Sequence, residues 1–128
     1  MLGIGSCAAW LFGDINTEIK NSGAVATSFT QSLVSSGWTL DAFRDTATAG
    51  YLLNLKTRGA AAFDAYKVLG EPKSIAACTN IHLEITNGEG NAELTCPASF
   101  ANGNATLLLD LYKPVIGTWK VQNLKLEL

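Results

Sequence analysis

The chain has 128 residues, a net charge of −2 and an isoelectric point near 5.2. Its nine lysines and arginines form no cluster, which argues against the basic surface of a nucleic-acid-binding protein. A chain of this length buries well over half of its unfolded surface, and no repeat or linker divides it, so we expect one domain over residues 1–128.

The amino-terminal segment Met1–Gly13 is apolar and contains no charged residue. It falls short of the roughly 20 residues that span a bilayer, and it lacks the basic start of a secretory signal. Three interpretations stay open. Ile4–Cys7 resembles the motif before the lipidated cysteine of bacterial lipoproteins, which would make Cys7 a membrane anchor. Otherwise Trp10 and Leu11 pack in the core, or the segment is the end of a longer membrane segment.

Residues 14–72 are predicted to be helical. A long helix is expected over Asp14–Val34, because apolar or small residues recur there at a period of 3.6, and Ser35-Ser36-Gly37 stops it. The predicted buried stripe consists of Ile15, Ile19, Ser22, Ala26, Phe29 and Leu33.

Two shorter helices are predicted to follow. Thr39 is expected to cap the first of them, which carries Leu40, Phe43 and Ala47 on one face. The other is expected to run from about Gly59 to Leu69 before Gly70 and Pro72 end it. Its apolar face consists of Ala62, Phe63, Tyr66 and Leu69.

Residues 73–128 predict four antiparallel strands separated by Asn/Gly turns. The first strand, Ser74–Thr86, alternates with a period of two, which is typical of a strand with one buried face. Its odd positions are expected to face the core, namely Ile75, Ala77, Ile81, Leu83 and Ile85. Asn87–Gly90 is the expected hairpin turn to the second strand.

The second and third strands show the same alternation on either side of the turn Asn102–Asn104. The expected inward residues are Ala92, Leu94, Cys96, Ala98 and Phe100, and then Ala105, Leu107, Leu109 and Leu111. After a turn at Pro114 and Gly117, the inward positions of the last strand change parity. They are Trp119, Val121, Leu124, Leu126 and Leu128. This change predicts a β-bulge near Gln122 and Asn123.

Three motifs follow one another along the chain: Leu69–Pro72 ends the helices, Phe100–Ala105 joins two strands, and Gly117–Val121 opens the last strand. With the long helix and two cysteine-bearing strands, this order resembles small extracytoplasmic members of the nuclear transport factor two-like (cystatin-like) superfamily over roughly residues 20–128. The resemblance implies a strongly curved antiparallel sheet wrapped against helices, often with a pocket on its concave side. Relatives use the fold for catalysis, ligand binding or docking, so it implies an architecture more than an activity.

Cys78 and Cys96 lie on neighbouring predicted strands, but the alternation places Cys78 on the outer face and Cys96 on the inner one. A disulfide needs Cβ atoms within about 4.5 Å, so a regular ladder does not join them unless a bulge lies near Cys78 or Pro97. The resemblance implies a cysteine pair in these strands. A disulfide and two buried thiols both stay open, and a disulfide would indicate an oxidising compartment.

Catalytic residues are not expected on the sheet, because none of its inward positions carries a carboxylate or a tyrosine. The candidates on helices are Asp45, Tyr51, Asp64 and Tyr66. His82 falls on the outer face, away from a pocket. We therefore expect no catalytic residue, no metal site and no cofactor, since one histidine and three scattered cysteines lack zinc-ligand spacing.

Two binding surfaces are predicted. The outer sheet face carries a mixed apolar and polar set that suits another protein or a second copy of the chain: His82, Leu108, Asp110 and Tyr112. The concave side predicts a pocket for a small apolar ligand, lined by Phe29, Leu33, Phe43, Tyr66, Leu94 and Trp119.

We expect a single α+β domain, with a long N-terminal helix and shorter helices packed on a curved four-stranded antiparallel sheet, the cystatin-like cone. The expected function is protein association at or outside a membrane, without catalysis, in the periplasm or at the cell surface. Membrane attachment would run through the N-terminus. The alternative is a domain of the same fold that binds a small apolar ligand or is weakly catalytic.

Overall fold

The computed structural model of the protein describes residues 15–59 and 61–127. The helices are α1 (Ile15–Ser36), α2 (Ala49–Arg58) and α3 (Ala61–Lys67), with a 3₁₀ turn at Leu40–Ala42 between the first two. The strands are β1 (Pro72–Ile75), β2 (Thr79–Thr86), β3 (Glu89–Phe100), β4 (Gly103–Lys113) and β5 (Lys120–Glu127). The predictions for Met1–Gly13, including Cys7, Trp10 and Leu11, and for Leu128 lie outside the described residues.

Helix α1 forms where the sequence predicts a long helix. It ends at Gly37, which has a φ of 70° and donates its N–H to the Leu33 carbonyl over 2.8 Å. Its buried residues are Glu18, Ser22, Ala26, Phe29, Thr30 and Leu33. The prediction was wrong for Ile15 and Ile19, which are 47% and 42% exposed. They lie on the same side of the helix as the buried set, but burial begins only at Glu18 and Ser22.

The segment after α1 differs from the prediction. Thr39 makes no side-chain cap, and the structure after it is only a 3₁₀ turn, although Phe43 and Ala47 are buried as expected. The next helix, α2, was missed. Thr48 caps it by accepting a hydrogen bond from the Tyr51 N–H at 3.2 Å. The same Thr48 donates its backbone N–H to Val121 of β5, so contact with the sheet positions the start of α2.

The sheet has five antiparallel strands, with β3 and β4 at its centre. β5 pairs with β4, whereas β1 and β2 both pair with β3 at different points along it. The predicted single strand Ser74–Thr86 is therefore interrupted at residues 76–78. Ala76 still donates its N–H to the Pro97 carbonyl at 2.8 Å, so the interrupted segment stays alongside β3. Prediction and structure agree on the inward faces of β3 and β4.

Two bulges change which residues face the core. In β2 the register shifts between Asn80 and His82, so the predicted inward Ile81 is instead 57% exposed. Asn80, predicted to face outward, donates from Nδ2 to Ser22 Oγ of α1 at 2.9 Å. In β5 Val121 and Asn123 pair with successive residues of β4, which leaves Gln122 as the extra residue. The bulge predicted there is confirmed.

The core lies between the inner sheet face and the helices. Aromatic rings from the helical half fill much of it: the Phe29 and Phe43 centroids are 5.0 Å apart, and Trp38 lies 5.6 Å from Phe100 of β3. The Trp38 indole N–H also donates to the Gly70 carbonyl at 2.9 Å. These contacts tie the helices to one face of the sheet and leave its outer face without a covering helix among the described residues.

Candidate functional site

The outer sheet face gathers predicted site residues from β2 and β4. His82 of β2 lies opposite Glu93 of β3, which in turn pairs with Asp110 of β4. Leu108 and Tyr112 lie on the same face of β4, two residues to either side of Asp110. The structure therefore brings all four predicted partner-surface residues to one face.

Ile81 adds an apolar side chain to this face that the sequence did not predict. The β2 bulge places Ile81 and His82 together opposite Glu93, so both point outward. Leu108 of β4 lies two strands away from Ile81, where it is half-buried beside Thr95 of β3. Strand alternation alone assigns Ile81 to the core, and only the register of β2 against β3 reveals its outward position.

The charges on the outer face are mostly acidic on its β2 and β3 side. Glu84 lies 3.5 Å from His82 Nε2, and both side chains are more than half exposed. The Tyr112 hydroxyl donates to Glu89 Oε2 at 2.8 Å, and this hydrogen bond raises the pKa of Tyr112. On the other side, Lys125 of β5 pairs with Leu108. The face thus combines a central apolar side chain with carboxylates on the β2 and β3 flank, and with Lys125 and Glu127 on the β5 flank.

An open groove of about 520 Å³ continues the outer face toward the interruption between β1 and β2. Polar and small side chains line it, including Ser74, Pro97, Asn104, Thr106 and Glu127. A partner that covered Leu108 would also reach this groove, because Thr106 is its near neighbour on the same face of β4.

The residues of the predicted apolar pocket lie together in the core. Phe29, Leu33, Phe43, Leu94 and Trp119 are each no more than 2% exposed. Tyr66 is half-buried beside them, and its hydroxyl donates to the Leu124 carbonyl at 3.2 Å. As they stand, these side chains fill the space that a ligand would take.

Trp119 has one feature that the other pocket residues lack. Its indole nitrogen is buried without a hydrogen-bond acceptor among the described residues. Trp119 also contributes to the lining of an open groove of about 220 Å³ between α1, the segment before α2 and the start of β5. The lining also includes Val25, Ser28, Asp45 and Lys120. A buried indole N–H ordinarily finds an acceptor, so Trp119 is the pocket residue at which a polar ligand atom would be stabilised.

The helix-borne catalytic candidates do not form a recognisable acid–base site. Asp45 and Asp64 are exposed. Burial, with a smaller contribution from Tyr66, raises the pKa of Tyr51 to about 12, so its hydroxyl stays protonated at neutral pH. In the part of the chain that the structure describes, no cluster of His, Cys, Asp and Glu could hold a metal ion.

Cys78 and Cys96 have their sulfur atoms 2.05 Å apart, which is the distance of a disulfide bond. The objection from strand alternation fails because β2 is not a regular extension of β1. The interruption at residues 76–78 and the register shift after Asn80 turn Cys78 toward the core, where Cys96 is buried.

Comparison with protein-family models, with curated proteins and with solved structures found no match. Within residues 15–59 and 61–127, no helix is both long and apolar enough to cross a membrane. The surfaces and the core described above are therefore the basis for proposing a function.

Proposed function

We propose that this chain is a non-catalytic association domain that works at or outside a membrane and binds a protein through its outer sheet face. The observation that carries the proposal is the gathering of Ile81, Leu108 and Tyr112 among polar side chains on the sheet face opposite the helices. A mixed face of this kind, with an apolar centre and a polar surround, resembles a protein interface more than a catalytic cleft.

A second copy of the chain is the partner that the face suits best. A twofold axis through Leu108 and parallel to the strands would place Leu108 of the two copies against each other, and it would bring Lys125 of one copy near the acidic β2 and β3 flank of the other. The support for this geometry is the position of Lys125 across the strands from Glu84 and Glu93, with Glu127 further along β5.

The cystatin-like architecture and the extracytoplasmic location are part of the same proposal. A long helix lying on an antiparallel sheet, with shorter helices beside it, supports membership of the nuclear transport factor two-like superfamily. The Cys78–Cys96 pair supports an oxidising compartment such as the periplasm or the cell surface, where disulfides persist.

Sedimentation equilibrium of the purified chain over a range of concentrations tests self-association. Leu108→Glu should weaken the dimer by about 30-fold, because it places an unpaired charge at the centre of the interface. Leu53→Glu is the matched control, since Leu53 is 65% exposed on α2. Equal association of both variants would contradict the outer face as the interface.

A chain that is monomeric at every concentration would contradict the dimer but leave a different protein as the partner. A photo-crosslinking amino acid at position 108, compared with the same amino acid at position 53, distinguishes these cases in cells. Crosslinks from both positions at equal yield would count against a specific outer-face interface.

The second candidate function is binding of a small, largely apolar ligand beside Trp119. The buried indole nitrogen without an acceptor favours it, because a ligand carbonyl or hydroxyl that entered beside the indole would satisfy that donor. The indole N–H resonance of Trp119 in an NMR spectrum reports such a contact. A small ligand library that shifts other resonances but never this one would count against the candidate.

A further inference from the structure

Large apolar side chains are exposed at one end of the molecule. Ile15 and Ile19 of the first turns of α1 are 47% and 42% exposed, and Val115 and Ile116 of the β4–β5 turn are 58% and 91% exposed. We call these four residues the apolar end. They are half of the large apolar side chains that are exposed among the described residues.

Contacts between α1 and the sheet place the two pairs at the same end. Glu18 in the first turn of α1 lies 3.7 Å from Lys113 Nζ, and Lys113 is the last residue of β4 before the turn. Both side chains of this ion pair are largely buried, at 10% and 21% exposed. The β4–β5 turn therefore begins beside the start of α1.

The β4–β5 turn is braced from two sides. A Cβ added to Gly88 of the β2–β3 turn would lie 3.3 Å from Val115 Cγ1, so the two turns are in contact. Within the turn, Gly117 has a φ of 142° and lies close to the Pro114 ring. With the turn held by these contacts, Ile116 projects from the end of the sheet and its side chain stays exposed.

The sequence before α1 leads into the same end. Thirteen residues without a charge, Met1–Gly13, precede Asp14 and then Ile15. The apolar face of α1 is uncovered at Ile15 and Ile19, which follow this uncharged stretch directly in the sequence.

The charges near the apolar end do not favour a charged partner. Glu18 and Lys113 neutralise each other, and Glu89, which accepts a hydrogen bond from the Tyr112 hydroxyl, keeps a single negative charge. Lys20 is the remaining cation of the first turns of α1. A protruding apolar tip with a nearly neutral surround fits the interface of a lipid bilayer, whereas a protein partner ordinarily requires a broader complementary surface.

We propose that the apolar end is a membrane-contact surface, in which the Val115–Ile116 turn inserts into the lipid beside Ile15 and Ile19. The inference rests on the membrane location in the proposed function. With the β4–β5 turn in the lipid, β4 and β5 extend away from the membrane. The outer sheet face then stands at a steep angle to the membrane plane. Leu108 then stays accessible to a protein lying on the same membrane.

Flotation of the full chain with phosphatidylcholine vesicles tests the proposal. The double variant Val115→Ser/Ile116→Ser should lower the partition coefficient at least about tenfold, at low and at high salt, because apolar burial drives the contact. Val68→Ser is the matched control: Val68 is 75% exposed, and its carbonyl accepts from Asn102 at the β3–β4 turn, the opposite end of the sheet. The control should bind as the wild type does.

A second measurement separates this inference from the proposed function. With phosphatidylcholine brominated on its acyl chains, Ile116→Trp should be quenched beyond the wild-type signal, and Val68→Trp should not. Vesicle binding without this quenching, or unchanged binding of the double variant, overturns the membrane role of the turn and leaves the membrane location standing. If the wild type does not bind vesicles, both fail. A change in oligomeric state of the double variant without lipid would assign the apolar end to a second copy and overturn the proposal.

Discussion

At position 90, packing against a residue that is distant in the sequence requires glycine. A Cβ at this position of β3 would lie 2.5 Å from Trp119 Cη2 and 3.0 Å from Ile85 Cδ1. The indole of Trp119 therefore packs directly on the backbone of β3, and only glycine leaves it room. The sequence assigned Gly90 to a turn, whereas the structure pairs it with Ile85 inside the sheet.

Gly90→Ala should lower the free energy of unfolding by about 1–3 kcal/mol, because the added methyl group displaces a buried indole. Gly23→Ala is the matched substitution, since a Cβ added there in α1 meets nothing within 4 Å apart from the adjacent backbone of its own helix. It should raise stability by up to about 1 kcal/mol through helix propensity. Urea unfolding followed by circular dichroism measures both, and equal effects would contradict the packing of Trp119 on Gly90.

Tyr51 makes the stability of the protein sensitive to alkaline pH. Its pKa is about 12 in the folded state against an ordinary value of 10.0, so folding favours the neutral phenol. The resulting stability is present below pH 10 and is lost as the pH rises through the window from 10 to about 12. Partial exposure to solvent reduces the effect to about 1–2 kcal/mol.

Tyr51→Phe should remove this part of the alkaline loss. Unfolding free energies measured at about pH 9 and about pH 12 give the comparison. The wild type is expected to lose more stability than the variant across that interval. Parallel losses in the two proteins would show that the phenol of Tyr51 is not the group responsible.

At the scale of elements, the bulges decide how the edge strands present their side chains. Gln122 in β5 is an extra residue between Val121 and Asn123, which pair with Leu111 and Asp110. The bulge lets both Val121 and Leu124 face the core despite their odd spacing. The bulge in β2, in contrast, turns an apolar side chain, Ile81, out of the core.

Deletion of Gln122 should be tolerated, because it converts the bulge into a regular ladder and keeps Leu124 facing inward. The expected loss is about 1 kcal/mol, since the 3.4 Å hydrogen bond from Gln122 to Asn91 is exposed. Deletion of Asp110 from regular β4 is the control. It turns the residues beyond it to the wrong face and should prevent folding. Amide NMR spectra distinguish the two, and an unfolded Gln122 deletion would contradict the expected tolerance.

At the scale of the whole molecule, the Cys78–Cys96 pair joins the edge of the sheet to its centre. The two cysteines are 18 residues apart in the sequence, and they link the last residue of the interruption before β2 to β3. Such a link stabilises the fold mainly by restricting the unfolded chain. The same feature makes the stability of the domain depend on its compartment.

Cys78→Ala/Cys96→Ala should lower the free energy of unfolding by about 3 kcal/mol, the size expected for a closed loop of this length. Denaturant unfolding of the wild type with and without a reductant provides an independent comparison. If the reductant has no effect on the wild type, the two sulfur atoms are not bonded in solution.

The arrangement of surfaces also belongs to the whole molecule. One face of the sheet is closed by aromatic packing against the helices, the other carries Leu108 and Ile81, and one end exposes the Val115–Ile116 turn. These three regions point in different directions. Association through the outer face and contact with a membrane through the apolar end are thus compatible in one molecule.

The α+β class, α1 and the inward faces of β3 and β4 could be predicted from the sequence. Their patterns are local, since a period of 3.6 or of two within one segment states which side is apolar. The bulge at Gln122 was predictable for the same reason, because the parity change lies within one strand. The residues of the outer face on β4 followed from the same alternation.

Only the tertiary structure decided the remaining features. The pairing of Cys78 with Cys96 and the outward turn of Ile81 depend on the register of β2 against β3, which no pattern within β2 encodes. Helix α2 was not predicted, because its position depends on the hydrogen bond from the Thr48 backbone N–H to the Val121 carbonyl, which is distant in the sequence. Ile15 and Ile19 belong to a regular apolar stripe, but they are exposed because burial also requires another part of the protein to pack against them. The first buried residue of α1 is Glu18. Periodicity determines which face of an element is apolar, whereas long-range contacts determine how far that face is covered.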